Sequence, residues 1–330
     1  MRRRAFLTGL GGAAAAIALP YQPSAQQDPG RPLVGLLSPI SAAAAAPNIA
    51  AFRSALRDIG YVEGRNMTLV ARYGDGASDR LGALAHELVA LKPDVIIAGA
   101  HSGALAAHAA TKTIPIVVIS PEDPIVSGFA QSIAKPGGNV TGTWPVGDDA
   151  LVGKRLDFLK LAVPGLARVA IMFNPGYPGD SVYIAKLPAA ARALGLSTQL
   201  IEVSDPRKLD AAAAELTRAD IQGLYVLQSP PFHSNRANVV SMVLRLKLPA
   251  MYGWRDFADA GGLMSYGPNL PEIYRQSARL VGRILKGESP GNLPWELPTR
   301  YELILNLKTA RATGLVLPNA FVLLADEVIE

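Results

Sequence analysis

Short apolar runs alternate with amphipathic stretches along most of this chain, and that rhythm narrows the folds open to it. Pro32 to Leu37 reads as a strand ending at Ser38-Pro39. Asn48 to Ile59 carries Ile49, Phe52, Leu56 and Ile59 at helical spacing, and Gly60 stops it. Asn66 to Tyr73 predicts a second strand, and Ser78-Asp79 a cap for a helix running to Leu91. Asp94 to Ala98 is the short apolar run of a parallel strand buried on both faces. A helix from Ser102 to Thr111 and a strand from Pro115 to Ile119 follow. Strand and helix in strict alternation predict a parallel sheet with helices on both faces.

The unit then recurs. Lys92 to Ile97, a Gly/Ser loop, a helix and Ile114 to Val118 form one copy; Ile221 to Leu227, a Ser/Pro loop, a helix and Leu248 to Tyr252 form the other. The duplication predicts two similar lobes. Lys135-Pro136-Gly137-Gly138-Asn139 is a sharp turn leading into Val140 to Pro145, a candidate crossing between them. Met251 to Trp254 is a candidate crossing back, and Glu296 to Asn306 a third. Residues 31–143 plus 253–295 are therefore expected in the first lobe, and residues 144–252 plus 296–330 in the second, with the chain ending in helix-type sequence.

Residues 1–27 read as an export signal. Arg2-Arg3-Arg4 precede Ala5-Phe6-Leu7 in the manner of a twin-arginine motif, and the uncharged run to Leu19 is short for a bilayer core of ~30 Å. Cleavage is expected after Ala18 or Ala25, which places the mature protein in the periplasm. Without those three arginines the chain has 29 basic against 27 acidic groups, so its net charge of +5 is mostly the leader's. No basic stripe remains to hold nucleic acid, and no helix-turn-helix segment precedes the first strand. There is no cysteine, which excludes a disulfide framework, thiolate metal sites, cysteine nucleophiles and a lipidated cysteine anchor.

In open parallel sheets, ligands bind beyond the carboxyl ends of the strands. The residues that follow the expected strands are Ser38; His101 and Ser102; Glu122 and Asp123; Asn174; Ser229; and Trp254. These hydroxyls, amides and acids, among loop-forming Gly and Pro, suit a cleft for a small polar molecule. Ser102, at an expected helix N-terminus, would hold an anionic or carbonyl end. Glu122 or Asp123 would hold a cationic end. Asn174, Ser229 and Trp254 would close from the other side, with Trp254 or Tyr177 stacking on an apolar part. The same residues have plainer readings: Ser102 as an N-cap, the acids as turn formers, Trp254 as packing between lobes.

Motifs for chemistry are missing. His86, His101, His108 and His233 form no His-Glu-x-x-His, and there is no Gly-x-Ser-x-Gly elbow, phosphate loop or dinucleotide fingerprint. No catalytic residue, metal or cofactor is expected.

Several segments carry a resemblance. Phe52-Arg53-Ser54-Ala55-Leu56 with Gly60 to Asn66, Asp123 to Phe129, Pro136 to Gly142, Gly261 to Pro268, Ile304 to Ala310 and Ala325 to Ile329 occur in one order along residues 31–330. Together they resemble the TrpX-like substrate-binding proteins of ABC transporters, of the type I periplasmic binding protein fold. The resemblance implies two Rossmann-like lobes joined by a multi-strand hinge. They would close on a small molecule, an amino acid or related compound, in some members aromatic. It also implies a monomer that hands its ligand to an inner-membrane permease and does no chemistry itself. His101 and Glu122 depart from the residues usual in such proteins and point to a more polar or more highly charged ligand. A periplasmic ligand sensor for a membrane signalling partner would share this fold, and an α/β enzyme is the remaining alternative.

Overall fold

The computed structural model describes residues 30–120, 122–144, 150–298 and 300–330. The expected export signal, its cleavage sites and Pro145 lie outside the described residues.

The first lobe comprises β1 (Leu33–Ser38), α1 (Ala42–Asp58), β2 (Thr68–Tyr73), α2 (Leu81–Ala90), β3 (Val95–Gly99), α3 (Ala100–Ala110), β4 (Ile116–Ile119) and β5 (Val140–Thr143). Its sheet is wholly parallel, in the order β2-β1-β3-β4-β5. β3 shows why an unbroken apolar run is needed there. Successive side chains point to opposite faces of a strand. Val95 and Ile97 enter the core beneath α1, while Ile96 and Ala98 enter the core beneath α2 and α3.

The second lobe begins with α4 (Ala150–Ala162), β6 (Arg168–Phe173), α5 (Pro178–Ala193), β7 (Ser197–Glu202), α6 (Asp210–Arg218) and β8 (Gly223–Val226). It continues through α7 (Pro230–Ser234), α8 (Arg236–Arg245), β9 (Ala250–Tyr252), α9 (Arg255–Asp259) and β10 (Met264–Pro268). α10 (Leu270–Leu285) returns to the first lobe, where Ile273, Ala278, Val281 and Ile284 join the core under α1. β11 (Tyr301–Asn306), α11 (Leu307–Thr313), α12 (Asn319–Val322) and β12 (Glu327–Ile329) finish the second lobe. Its sheet runs β12-β11-β10-β9-β8-β6-β7. β10 and β11 are antiparallel, and the other registered pairs are parallel. Both lobes thus have the α/β architecture the alternating pattern predicts.

Three expectations need correction. The chain does not leave the second lobe at Met251–Trp254. Met264 and Ser265 pair with Met251 and Tyr252, so residues 255–268 belong to the second sheet and the return crossing comes at Asn269. The reason is a tight turn: a Cβ on Gly262 would lie 2.6 Å from the Tyr252 ring and 2.7 Å from the Phe257 carbonyl, so only glycine lets the chain fold straight back. Asn269 accepts from the Glu272 N–H and caps α10, which marks the crossing. The C-terminus is not all helical either. Asp326 accepts from the Leu303 N–H and donates its own to the Leu303 carbonyl, which sets β12 parallel to β11. Finally, α3 starts at Ala100 after Gly99, so Ser102 lies inside its first turn and does not cap it.

A third crossing runs beside the first. Thr143 bridges Glu296, the Trp144 N–H donates to the Glu296 carbonyl, and the Thr141 hydroxyl donates to the Leu293 carbonyl. Behind the crossings Arg155 of α4 is wholly buried. Its Nε donates to the Tyr266 carbonyl at 2.7 Å and its Nη1 to the Tyr225 hydroxyl at 2.9 Å, tying α4 to β10 and β8.

Candidate functional site

Each sheet places its topological switch point against the other lobe. In the first sheet it falls between β1 and β3, ending at Ser38 and Gly99; in the second it falls between β6 and β8, ending near Asn174 and Gln228. A cavity of ≈ 70 Å³ lies between them. Ser38, Gly99, Ala100, Ile119 and Tyr274 line it from the first lobe, and Tyr177, Gln228, His233 and Trp254 from the second. No lysine or arginine lines it.

Of the residues the sequence singles out, Ser38, Tyr177 and Trp254 reach this cavity. Ser102 and Ser229 stand beside it with hydroxyl oxygens that have no hydrogen-bond partner. Asp123 and Asn174 are engaged by backbone groups nearby. Asp123 accepts from the N–H groups of Ile125 and Val126 at 2.7 and 3.2 Å, so its carboxylate closes its own turn. Asn174 donates to the carbonyls of Val203 and Ser204 and accepts from the Gly176 N–H, and it faces a separate open groove of ≈ 530 Å³.

Glu122 and His101 meet at the seam of the lobes. Glu122 Oε2 accepts from the Ser120 hydroxyl at 2.5 Å and lies 3.6 Å from His101 Nδ1, while Oε1 accepts from the Tyr177 hydroxyl of the other lobe at 3.4 Å. Burial pushes the Glu122 carboxyl up to about 7, and the Ser120 and Tyr177 hydroxyls only partly offset this. Burial also pushes the His101 imidazole down. On α5, three residues beyond Tyr177, Asp180 is 1% exposed. Its Oδ2 accepts from the Asn174 N–H at 2.8 Å, and its Oδ1 has no partner. Burial pushes its carboxyl up to about 7 as well, and the Glu122 charge adds to the shift.

Sequence reasoning missed three wall residues. His233 is buried, with Nε2 2.7 Å from Asp256 Oδ2 and its ring 4.7 Å from that of Trp254. Burial pushes the Asp256 carboxyl up, but the His233 ring, with Arg236 and Arg255, outweighs it and holds the group below its usual range. The pair fixes the ring against which Trp254 rests. Gln228 is 4% exposed, and neither atom of its amide has a partner. It fits because Gly253 has no Cβ; one there would stand 2.0 Å from the Gln228 Cδ. Tyr274 arrives on α10, far along the chain from the strands it joins. Gln228 follows β8 within two residues and His233 lies in α7, on either side of Ser229, so the strand end that singled out Ser229 is the one local signal for both.

Among the described residues no group of His, Asp and Glu is placed to hold a metal ion, and no helix is long and apolar enough to cross a membrane. Two lobes, three crossings and a cavity with unpaired polar groups define a protein that takes a small molecule between its halves. The chain belongs to the family of ABC transporter substrate binding proteins, whose model matches residues 33–329. It is 26% identical over 261 residues to the tyrosine-binding protein of Clostridioides difficile (strain R20291), covering 79% of this chain and 74% of that one. A structure from Streptococcus pneumonia in complex with L-Trp superposes with a TM-score of 0.82 at 20% identity, covering 91% of this chain and all of that one. The ligand-free, open structure of a substrate binding protein with adhesive properties from Clostridium difficile gives 0.65 at 23% identity, covering 90% and 99%.

Proposed function

We propose that this chain is the periplasmic binding subunit of an ABC importer. It takes up a small molecule with an aromatic or apolar body and a polar head, an amino acid or a related compound, and passes it unchanged to an inner-membrane permease. The observation that carries the reading is the cavity between the lobes, with aromatic walls and the unpaired amide of Gln228. A buried polar group without a partner is costly, and a ligand supplies the missing one. The two relatives named for tyrosine and for L-Trp support the aromatic class.

The cavity volume supports closure by a hinge. A cavity of roughly 150 Å³ is what admits a benzene ring, about twice the space found here. An aromatic ligand therefore enters with the lobes further apart, and binding shifts the protein towards the closed form. The higher TM-score against the L-Trp complex than against the open structure supports a closed arrangement in this chain. As the lobes part, Ser38, Ser102, Ser229 and His101 come within reach of the ligand's polar end.

A thermal-shift screen with L-tryptophan, L-tyrosine and L-phenylalanine tests the reading. A true ligand at a hundredfold excess over Kd adds ~2.7 kcal/mol of stability. For a chain of this size that raises Tm by about 5 °C or more. Trp254→Ala should weaken the best ligand about tenfold in calorimetry, since an aromatic pair contributes ~1 kcal/mol beyond its buried area. The absence of any saturable aromatic ligand, or an unchanged affinity in the variant, would overturn the assignment.

A further inference from the structure

Glu122 and Asp180 are two buried carboxylates on opposite lobes, brought to the same tyrosine. Glu122 meets the Tyr177 hydroxyl, and Asp180 follows Tyr177 by three residues, its N–H donating to the Tyr177 carbonyl. Neither carboxylate forms an ion pair with lysine or arginine among the described residues, and Asp180 Oδ1 has no partner at all. A carboxylate out of water needs a counter-charge or a proton. The walls of the cavity offer no such charge, because no lysine or arginine lines them and His233 is held by Asp256.

An independent observation points the same way. Gln228 lines the cavity with Tyr177, is 96% buried, and leaves both amide atoms open, the oxygen as an acceptor for an ammonium and the nitrogen as a donor that carries no charge. The two carboxyl groups beside Tyr177 thus have no lysine or arginine paired with them among the described residues, and the buried cation nearest them, Arg155 of α4, is bonded instead to Tyr266 and Tyr225. A ligand carboxylate would find no cation on these walls. A ligand ammonium would find the Gln228 amide oxygen on the walls and, directly behind Tyr177, the carboxyl groups of Glu122 and Asp180.

We propose that Glu122, with Asp180 and the Gln228 amide, makes the cleft select ligands by a protonated amine, so that the amine is required and a carboxylate is dispensable. This rests on the solute-binding reading above and narrows its ligand class, extending it from amino acids to amines that lack a carboxyl group. Glu122 becomes the specificity-determining residue. The ammonium takes the place that a proton holds in the empty cleft.

Two matched probe series test this by calorimetry on the mature chain. The aromatic series is L-tyrosine, tyramine and 3-(4-hydroxyphenyl)propionate; the aliphatic series is L-leucine, 3-methylbutylamine and 4-methylpentanoate. In whichever series binds, the amine without a carboxyl should bind within threefold of the amino acid, and the acid without an amine at least tenfold more weakly. Glu122→Gln should lower amine affinity at least tenfold and erase that preference. The ranking in the unaltered chain decides the matter even if the variant folds poorly. A deaminated acid that binds as tightly as its amine overturns the proposal, as does a cleft that takes no amine from either series at 10 mM. Amine selection confined to the aliphatic series would overturn the aromatic reading and leave this one standing.

Discussion

Gly267→Ala should cost the protein about 3 kcal/mol or more and lower Tm by roughly 5 °C or more. A Cβ at this position would stand 1.9 Å from the Gly253 carbonyl oxygen and 3.3 Å from Arg155 Nη2. The first neighbour is backbone, fixed where β9 ends beside β10. The second belongs to a guanidinium already held by Tyr266 and Tyr225. No flexible side chain is available to move aside. Gly82→Ala is the matched control: nothing lies within 4 Å of its Cβ, and it sits in a helix, where alanine gains up to about 1 kcal/mol. Thermal melts of the two variants should diverge strongly. Equal melts would mean that the second sheet does not close so tightly at the crossing.

The second large effect is a fall in stability as pH rises from about 5 to about 7.5. The unfolded chain releases the protons of Glu122 and Asp180 near their ordinary values, about 4. The folded chain keeps them up to about 7. Between those limits the native state binds more protons than the unfolded one, so the contribution is fully present only below about pH 4 and declines as pH rises to about 7. Each group contributes on the order of 2–3 kcal/mol across the window. The groups facing them are His101 on α3, Tyr177 and Tyr183 on α5, and Arg155 on α4. Tyr177 and Tyr183 are pushed well above their ordinary values and stay neutral throughout. His101, pushed down by burial, opposes the trend by favouring the folded state above its own range. Melts of the ligand-free chain at pH 5.5 and 7.5 should show the decline, and Glu122→Gln should remove about half of it. A Tm that is flat or rises with pH would show that the two carboxyls are not buried together.

How much of this was readable in the sequence depends on the range over which a residue acts. β3 was legible because its burial on both faces is written in its own five residues. The ends of β1 and β9 were legible because Ser38 and Trp254 follow apolar runs directly, and both reach the cavity. β10 was not, since a short strand carries no record of which neighbour it pairs with; the tight turn at Gly262 decides that. Asp123 and Asn174 stand where ligand groups stand, but their side chains answer to backbone groups nearby. Gln228 carries no local signal that sets it apart from other loop amides, and its importance comes from the gap that Gly253 leaves beside it.

The first strand begins at Leu33 in one lobe, and the last ends at Ile329 in the other. The ends of the folded chain therefore ride on opposite lobes, the two bodies that the proposed hinge closure would move together. A dye pair attached there would read each closing event as a change in energy transfer, with no substitution near the cleft. Force applied through the same two points would load the three crossings before it reached either core, so the clamp should give way long before the halves unravel.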